Sequence, residues 1–189
     1  MQIKKPKTFD DLLNLQKILD ENISDKFSER EKTEIDILDA IKDEKQEWLK
    51  ELPYHLNFKT WKRKEYNRDK ELEEITDILF FILQLANYKE YYRGSFRKDF
   101  DDWRTKSYNE GDDDHYRKVL VAEFEESILI EQFRDCIMSD YNDLCSWRKF
   151  SKEEILNKYW EKWNFNMEKR KDWTLKKIGG SYEYKNKNI

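Results

Sequence analysis

The chain has 189 residues, enough for one domain with a buried core or one domain carrying a sizeable insertion. Four Gly and two Pro, against 41% charged and 38% hydrophobic residues, argue against a many-turned β-sandwich or barrel and for long helices with apolar residues confined to particular faces. With 37 basic and 41 acidic side chains, the net charge of −4 provides no overall basic field for nucleic acid, and no run approaches the roughly eighteen apolar residues of a membrane span.

The opening MQIKKPKTFDD has no apolar leader core, so a soluble, cytoplasmic protein is expected. Thr8 is a suitable N-cap for a first helix to about Asn22, with Asp10 and Asp11 at the positive end of its dipole. Leu12, Leu15, Leu19 and Ile23 form its buried stripe. A second helix is predicted from about Glu31 to Leu52, with Ile35, Leu38, Ile41, Trp48 and Leu52 facing inward and Pro53 helping to stop it. The third, from about Lys70 to Lys89, contains DILFFILQLA, which is apolar nearly all round and belongs in the middle of a bundle.

From Tyr91 to Tyr116 the pattern breaks into aromatic and charged residues with Gly94, Gly111 and the acidic run Asp112 to Asp114, the signature of connecting structure. A fourth helix is predicted from Tyr116 to Ser139 with Val119, Leu120, Phe124, Ile128 and Phe133 inside. Ser151 and Glu154 form a capping-box pattern for a fifth helix running past Trp163 to about Trp173, and the tail after Gly179 and Gly180 is expected to fray. The fold class is therefore all-α: one domain over 1–189, a bundle of about five main helices. Its core helices occupy about 8–90 and 151–175, with an irregular helical insertion or cap over about 91–150. A third helix apolar around its circumference calls for a partner surface, as in a symmetric homodimer, unless residues 91–150 fold back and cover it.

Two carboxylate pairs carry the candidate chemistry. Glu44 and Glu47 lie on helix two and Glu74 and Asp77 on helix three, each pair at the i, i+3 spacing that shares a helix face. If the helices pack together, the four carboxylates converge on one groove as hard oxygen ligands suited to Mg²⁺, which takes the rest of its shell from water and substrate phosphates. With 41 acidic residues such spacings also arise by chance, and each pair alone is equally well read as a solvated helix face. The apolar setting of Glu74 and Asp77 requires that a cation or basic neighbours compensate them. His55 and His115 are isolated, and Cys136 and Cys145 lack both metal-ligand spacing and a nucleophile's partner, so both cysteines are read as reduced thiols.

The order E-x-x-E, a gap of 26 residues, then E-x-x-D resembles the signature of the all-α nucleotide pyrophosphatases, the superfamily of MazG-like enzymes and dimeric dUTPases. Three further segments are similar to the dimeric dUTPases of phage and bacterial type. These are LLNLQKILDENI (Leu12 to Ile23), FKTWKRK (Phe58 to Lys64) and NMEKR (Asn166 to Arg170). The similarity covers most of 9–90 and 155–173. It departs from the family pattern at Lys171, where related sequences often carry Gln, and in the absence of a recognisable tyrosine-containing closing segment.

The resemblance implies a homodimeric dUTP diphosphatase dependent on Mg²⁺, with Mn²⁺ able to substitute, that makes dUMP and pyrophosphate. Glu44, Glu47, Glu74 and Asp77 would be the metal ligands, and Glu47 would orient or deprotonate the attacking water. Gln16 would contact the uracil base, while Asn166 and Arg170 would contribute to the nucleotide site. Trp61 could border the base, and Lys59, Lys62 and Arg170 could neutralise phosphate oxygens. A dCTP-specific or broad-specificity pyrophosphatase on the same scaffold, and a non-catalytic helical binding protein, are the alternatives.

Overall fold

A computed structural model describes residues 3–27, 32–57, 64–103, 106–109, 111–169, 173–178 and 181–186. The described residues form α1 (Phe9–Phe27), α2 (Glu34–Glu51), α3 (Arg68–Tyr88), α4 (Arg93–Asp101), α5 (Asp113–Leu129), α6 (Ile137–Trp147) and α7 (Lys152–Lys169). Short 3₁₀ turns lie at Tyr54–Leu56, Glu90–Tyr92 and Glu131–Cys136, and an antiparallel hairpin of β1 (Trp173–Ile178) and β2 (Ser181–Asn186) follows. The fold is an all-α bundle, as the composition requires, with the hairpin appended after its last helix.

Local chemistry fixes the helix starts. At α1 the Thr8 hydroxyl accepts from the Asp11 N–H at 3.1 Å while the Asp11 carboxylate accepts from the Thr8 N–H at 3.1 Å. Thr33 with Asp36 closes the same reciprocal box at α2, and Ser151 with Glu154 does so at α7. Asn67 caps α3 by accepting from the N–H groups of Asp69 and Lys70. Each box satisfies otherwise orphaned amide donors and places a carboxylate at the positive end of the helix dipole.

The centre of the bundle is α3. Its buried face includes Ile75, Ile78, Leu79, Ile82, Leu83 and Leu85. On different sides it meets α1, α2, α4, α6 and α7. Trp48 of α2 packs edge-on against Trp147 of α6 at 6.4 Å, and Phe80 of α3 stacks on Tyr159 of α7 at 4.2 Å. The insertion therefore folds back on the core, and α3 is covered largely within one subunit. Of the two covers that its apolar circumference calls for, a partner surface or the returning insertion, α4 and α6 supply the second within the chain.

Several boundaries differ from the sequence reading. The predicted helix over 116–139 is two helices, because Ile130 adopts an extended backbone and a 3₁₀ turn intervenes. No Gly or Pro marks that corner. Long-range polar contacts hold it, with Arg134 donating to Glu34 at 2.8 Å and Ser95 to Asp135 at 3.3 Å. The redirected chain leaves Phe133 exposed rather than inside, and Val119 is exposed because α5 turns Leu120, Phe124 and Ile128 inward. Ile35 is also exposed, at 68%, since α2 turns Ile37, Leu38, Ile41, Trp48 and Leu49 toward the core and Ile35 lies off that face. Residues 93–101 form a helix within what reads as connecting structure, because Phe96 and Phe100 are four apart and both drive into the core. The described residues beyond Lys169, 173–178 and 181–186, pair as strands instead of continuing α7 or fraying. The side chain of Ile23 lies outside the described residues.

Candidate metal centre

The α2–α3 pair brings Glu44, Glu74 and Asp77 together, each half-buried, with one carboxylate oxygen from each lying within 4.8 Å of the other two. Burial raises the Glu44 carboxyl to about 7, helped by the charges of Asp77 and Glu74, against the lowering influence of Lys162. Asp77 rises to about 6, again chiefly through burial, although the Lys162 ammonium pulls it down. Two basic side chains already offset this charge. Lys162 of α7 contacts Asp77 and lies 3.4 Å from Glu73, and Lys70 of α3 reaches Glu74 at 2.8 Å and Glu73 at 3.2 Å.

The donor set fits a hard divalent cation. Two of the three carboxylates are held above their ordinary range, chiefly by burial and further by neighbouring carboxylate charge, and oxygen ligands from two facing helices leave open positions for water and phosphate. Glu47 stands apart from this triad. It lies one turn along α2 from Glu44, is 55% exposed and is paired with Lys50 on its own helix, though its charge still contributes to raising Glu44.

Glu71 provides a contrast. One turn before Glu74, it is fully buried and is matched without a metal: Arg148 donates to its two oxygens at 2.6 and 3.0 Å, and the Tyr66 hydroxyl donates at 2.8 Å. The carboxylates of α3 therefore divide: Glu71 is neutralised by a fixed guanidinium, while Asp77 opens on a cavity with Glu74 close beside it.

That cavity, of about 670 Å³, runs from Glu44 and Asp77 toward α1 and is within the range that encloses small ligands. Phe80, Phe81 and Phe165 supply apolar wall, while Gln16, Asp20 and Gln84 supply polar groups along it. Asn166, in the last turn of α7, also lines it. Gln16 and Asn166 thus share a space with Glu44 and Asp77, whereas Lys59, Trp61, Lys62 and Arg170 lie outside the described residues.

Sequence reasoning overlooked Lys162, Asp20, Gln84, Lys32 and Phe165 as cavity residues. Signals existed for three of them. Gln84 is seven residues after Asp77, two turns along the same face, and is the lone amide in an apolar run. Asp20 is four residues after Gln16, and Lys162 four before Asn166. Nothing local points to Lys32, which reaches Gln84 at 3.0 Å across 52 positions.

Comparison with protein-family models matches residues 8–173 to the family described as dUTPase. Comparison with curated proteins finds no match.

Proposed function

This chain belongs to the dUTPase family, and on that premise we propose that it hydrolyses dUTP to dUMP and pyrophosphate with Mg²⁺, keeping uracil out of DNA and supplying a thymidylate precursor. Membership carries dUTP hydrolysis in general terms. The observation that supports the finer reading is the convergence of Glu44, Glu74 and Asp77 at the end of a cavity whose other polar groups suit a nucleobase.

Glu44, Glu74 and Asp77 would hold the cation, with Glu47 joining them by rotating away from Lys50. Mg²⁺ there, or Mn²⁺ in its place, would neutralise triphosphate oxygens and polarise the attacking water. The protein's own groups do the rest. With a cation held by Asp77, the Lys162 ammonium would remain at the cavity's edge, where it can donate a charge-assisted hydrogen bond to phosphate. Glu47, the most exposed of the four carboxylates, is the one with access to solvent from which to orient a water and accept its proton. Gln16 and Asn166 would contact the nucleoside, and Lys59, Trp61, Lys62 and Arg170 keep the phosphate and base roles the resemblance gives them. A cytoplasmic homodimer completes the proposal, and its dimeric state rests on the family resemblance.

A carboxylate–cation centre recognises phosphates and does not distinguish bases, so the same scaffold acting on dCTP is the competing reading. Pyrophosphate release measured over a panel of nucleoside triphosphates, with Mg²⁺ and with EDTA, separates these. Preference for dUTP with Mg²⁺ supports the proposal, equal turnover of dCTP removes the base assignment, and no turnover of any nucleotide returns the chain to a binding role.

A further inference from the structure

Gln16 is 3% exposed and both ends of its amide are engaged. The Tyr159 hydroxyl donates to Oε1 at 3.1 Å, and Nε2 donates to Asp20 Oδ1 at 2.8 Å. The same Asp20 oxygen accepts from Gln84 Nε2 at 2.6 Å, and Gln84 Oε1 accepts from Lys32 Nζ at 3.0 Å.

The direction of every link in this array follows from its fixed members. An ammonium only donates, so the oxygen of Gln84 must face Lys32 and its nitrogen must face Asp20. Asp20 Oδ1, which accepts from Gln84, also accepts from the nitrogen of Gln16, and this leaves the Gln16 oxygen for the Tyr159 hydroxyl. The phenol stays protonated, because burial and the neighbouring Asp20 charge raise its pKa well above the ordinary value. A glutamine amide has two near-isosteric orientations, and here only one is compatible with its neighbours. Gln16, Asp20 and Gln84 line the cavity; Tyr159 stands behind it, fully buried, with its ring on Phe80.

We infer that Asp20 is the positioning residue that locks the orientation of the Gln16 amide, with the Tyr159 hydroxyl completing the contact at its oxygen, and thereby makes the cavity discriminate uracil from cytosine. The inference rests on the proposed nucleotide reading. Uracil presents N3–H and a carbonyl at C4, whereas cytosine presents a bare N3 and an amino group, so donor and acceptor exchange places between them. An amide free to flip matches either pattern. A locked amide matches one of them, since the triphosphate, held at the far end of the cavity, fixes which way the base edge faces. A base of the wrong pattern would leave buried polar groups unpaired, which discriminates far more strongly than shape alone.

The test compares wild type with Tyr159→Phe, which keeps the ring and its stacking, and with Asp20→Asn, which can donate as well as accept. kcat/KM is measured for dUTP and dCTP, alongside equilibrium binding of dUMP and dCMP. The expected result is a dUTP:dCTP ratio that falls by about tenfold or more in Asp20→Asn and by less in Tyr159→Phe, with dUMP affinity falling relative to dCMP and the Mg²⁺ concentration dependence unmoved. A structural role alone would depress both nucleotides together. A wild type that prefers dUTP, with variants whose ratio is unchanged, overturns the inference while leaving the function intact. A wild type indifferent to the base overturns the dUTP reading and the inference with it.

Discussion

Asp77 and Glu44 carry the sharpest expectation at the scale of single residues. Asp77→Asn, which keeps shape and loses charge, should lower kcat at least about a hundredfold while circular dichroism stays native, because a misplaced cation removes a major electrostatic contribution to the transition state. Glu47→Gln should lower kcat about as far if that carboxylate activates the water. Near-normal turnover in either folded variant would remove that residue from the machinery.

The pH dependence of stability follows from the same two residues. Burial raises Glu44 from 4.5 to about 7 and Asp77 from 3.8 to about 6, so the folded state binds protons more tightly than the unfolded chain at both positions. That stabilising contribution is complete below about pH 4 and is lost as pH rises through 6 to 7. In EDTA the contribution of these groups to Tm should therefore fall over that interval, and Mg²⁺ should restore much of it by favouring the ionised forms. Glu44→Gln should raise Tm in EDTA at pH 8 and weaken the response to Mg²⁺. An unaltered Mg²⁺ response in that variant would place the ion elsewhere.

Glu71 and Arg148 connect two elements, tying α3 to the C-terminal end of α6 by a bidentate, buried ion pair. Arg148→Ala would strand Glu71 at zero exposure and should cost about 3–5 kcal/mol in urea denaturation. A loss below about 1 kcal/mol would mean that solvent or a neighbour rescues the carboxylate. At this scale the sequence is informative wherever the signal is local. The capping boxes at Thr8 and Ser151 mark helix starts, and the i, i+3 carboxylates share a face because helical geometry requires it. Long-range effects escape it. The corner at Ile130 is held by Arg134 on Glu34, a hundred positions away, and Lys32 enters the cavity only because α3 lies beside it. The burial of Gln16 is likewise invisible in its own helix, where it reads as a polar residue beside the Leu12–Leu15–Leu19 stripe; Tyr159, 143 positions on, gives it a partner.

Across the described residues the molecule is a helical bundle in which the 91–150 insertion packs on α3 beside α1, α2 and α7, so cover for the central helix comes in part from its own chain. The dimer remains the expectation that the family resemblance supplies. Light scattering during size exclusion should give about twice the chain mass of 23.5 kDa. A single species at the chain mass, fully active, would show that each subunit is a complete catalyst.

Glu44, Glu74 and Asp77 are proposed as a divalent-cation centre for cleaving dUTP. The most direct test of that proposal is pyrophosphate release from dUTP by the purified chain, followed first with Mg²⁺ and then after EDTA is added in excess. Release of one pyrophosphate per dUMP with Mg²⁺, stopping when EDTA is added and resuming when Mg²⁺ is replenished, is the result this account predicts. Undiminished release in excess EDTA, or no release from dUTP at any Mg²⁺ concentration, would contradict it.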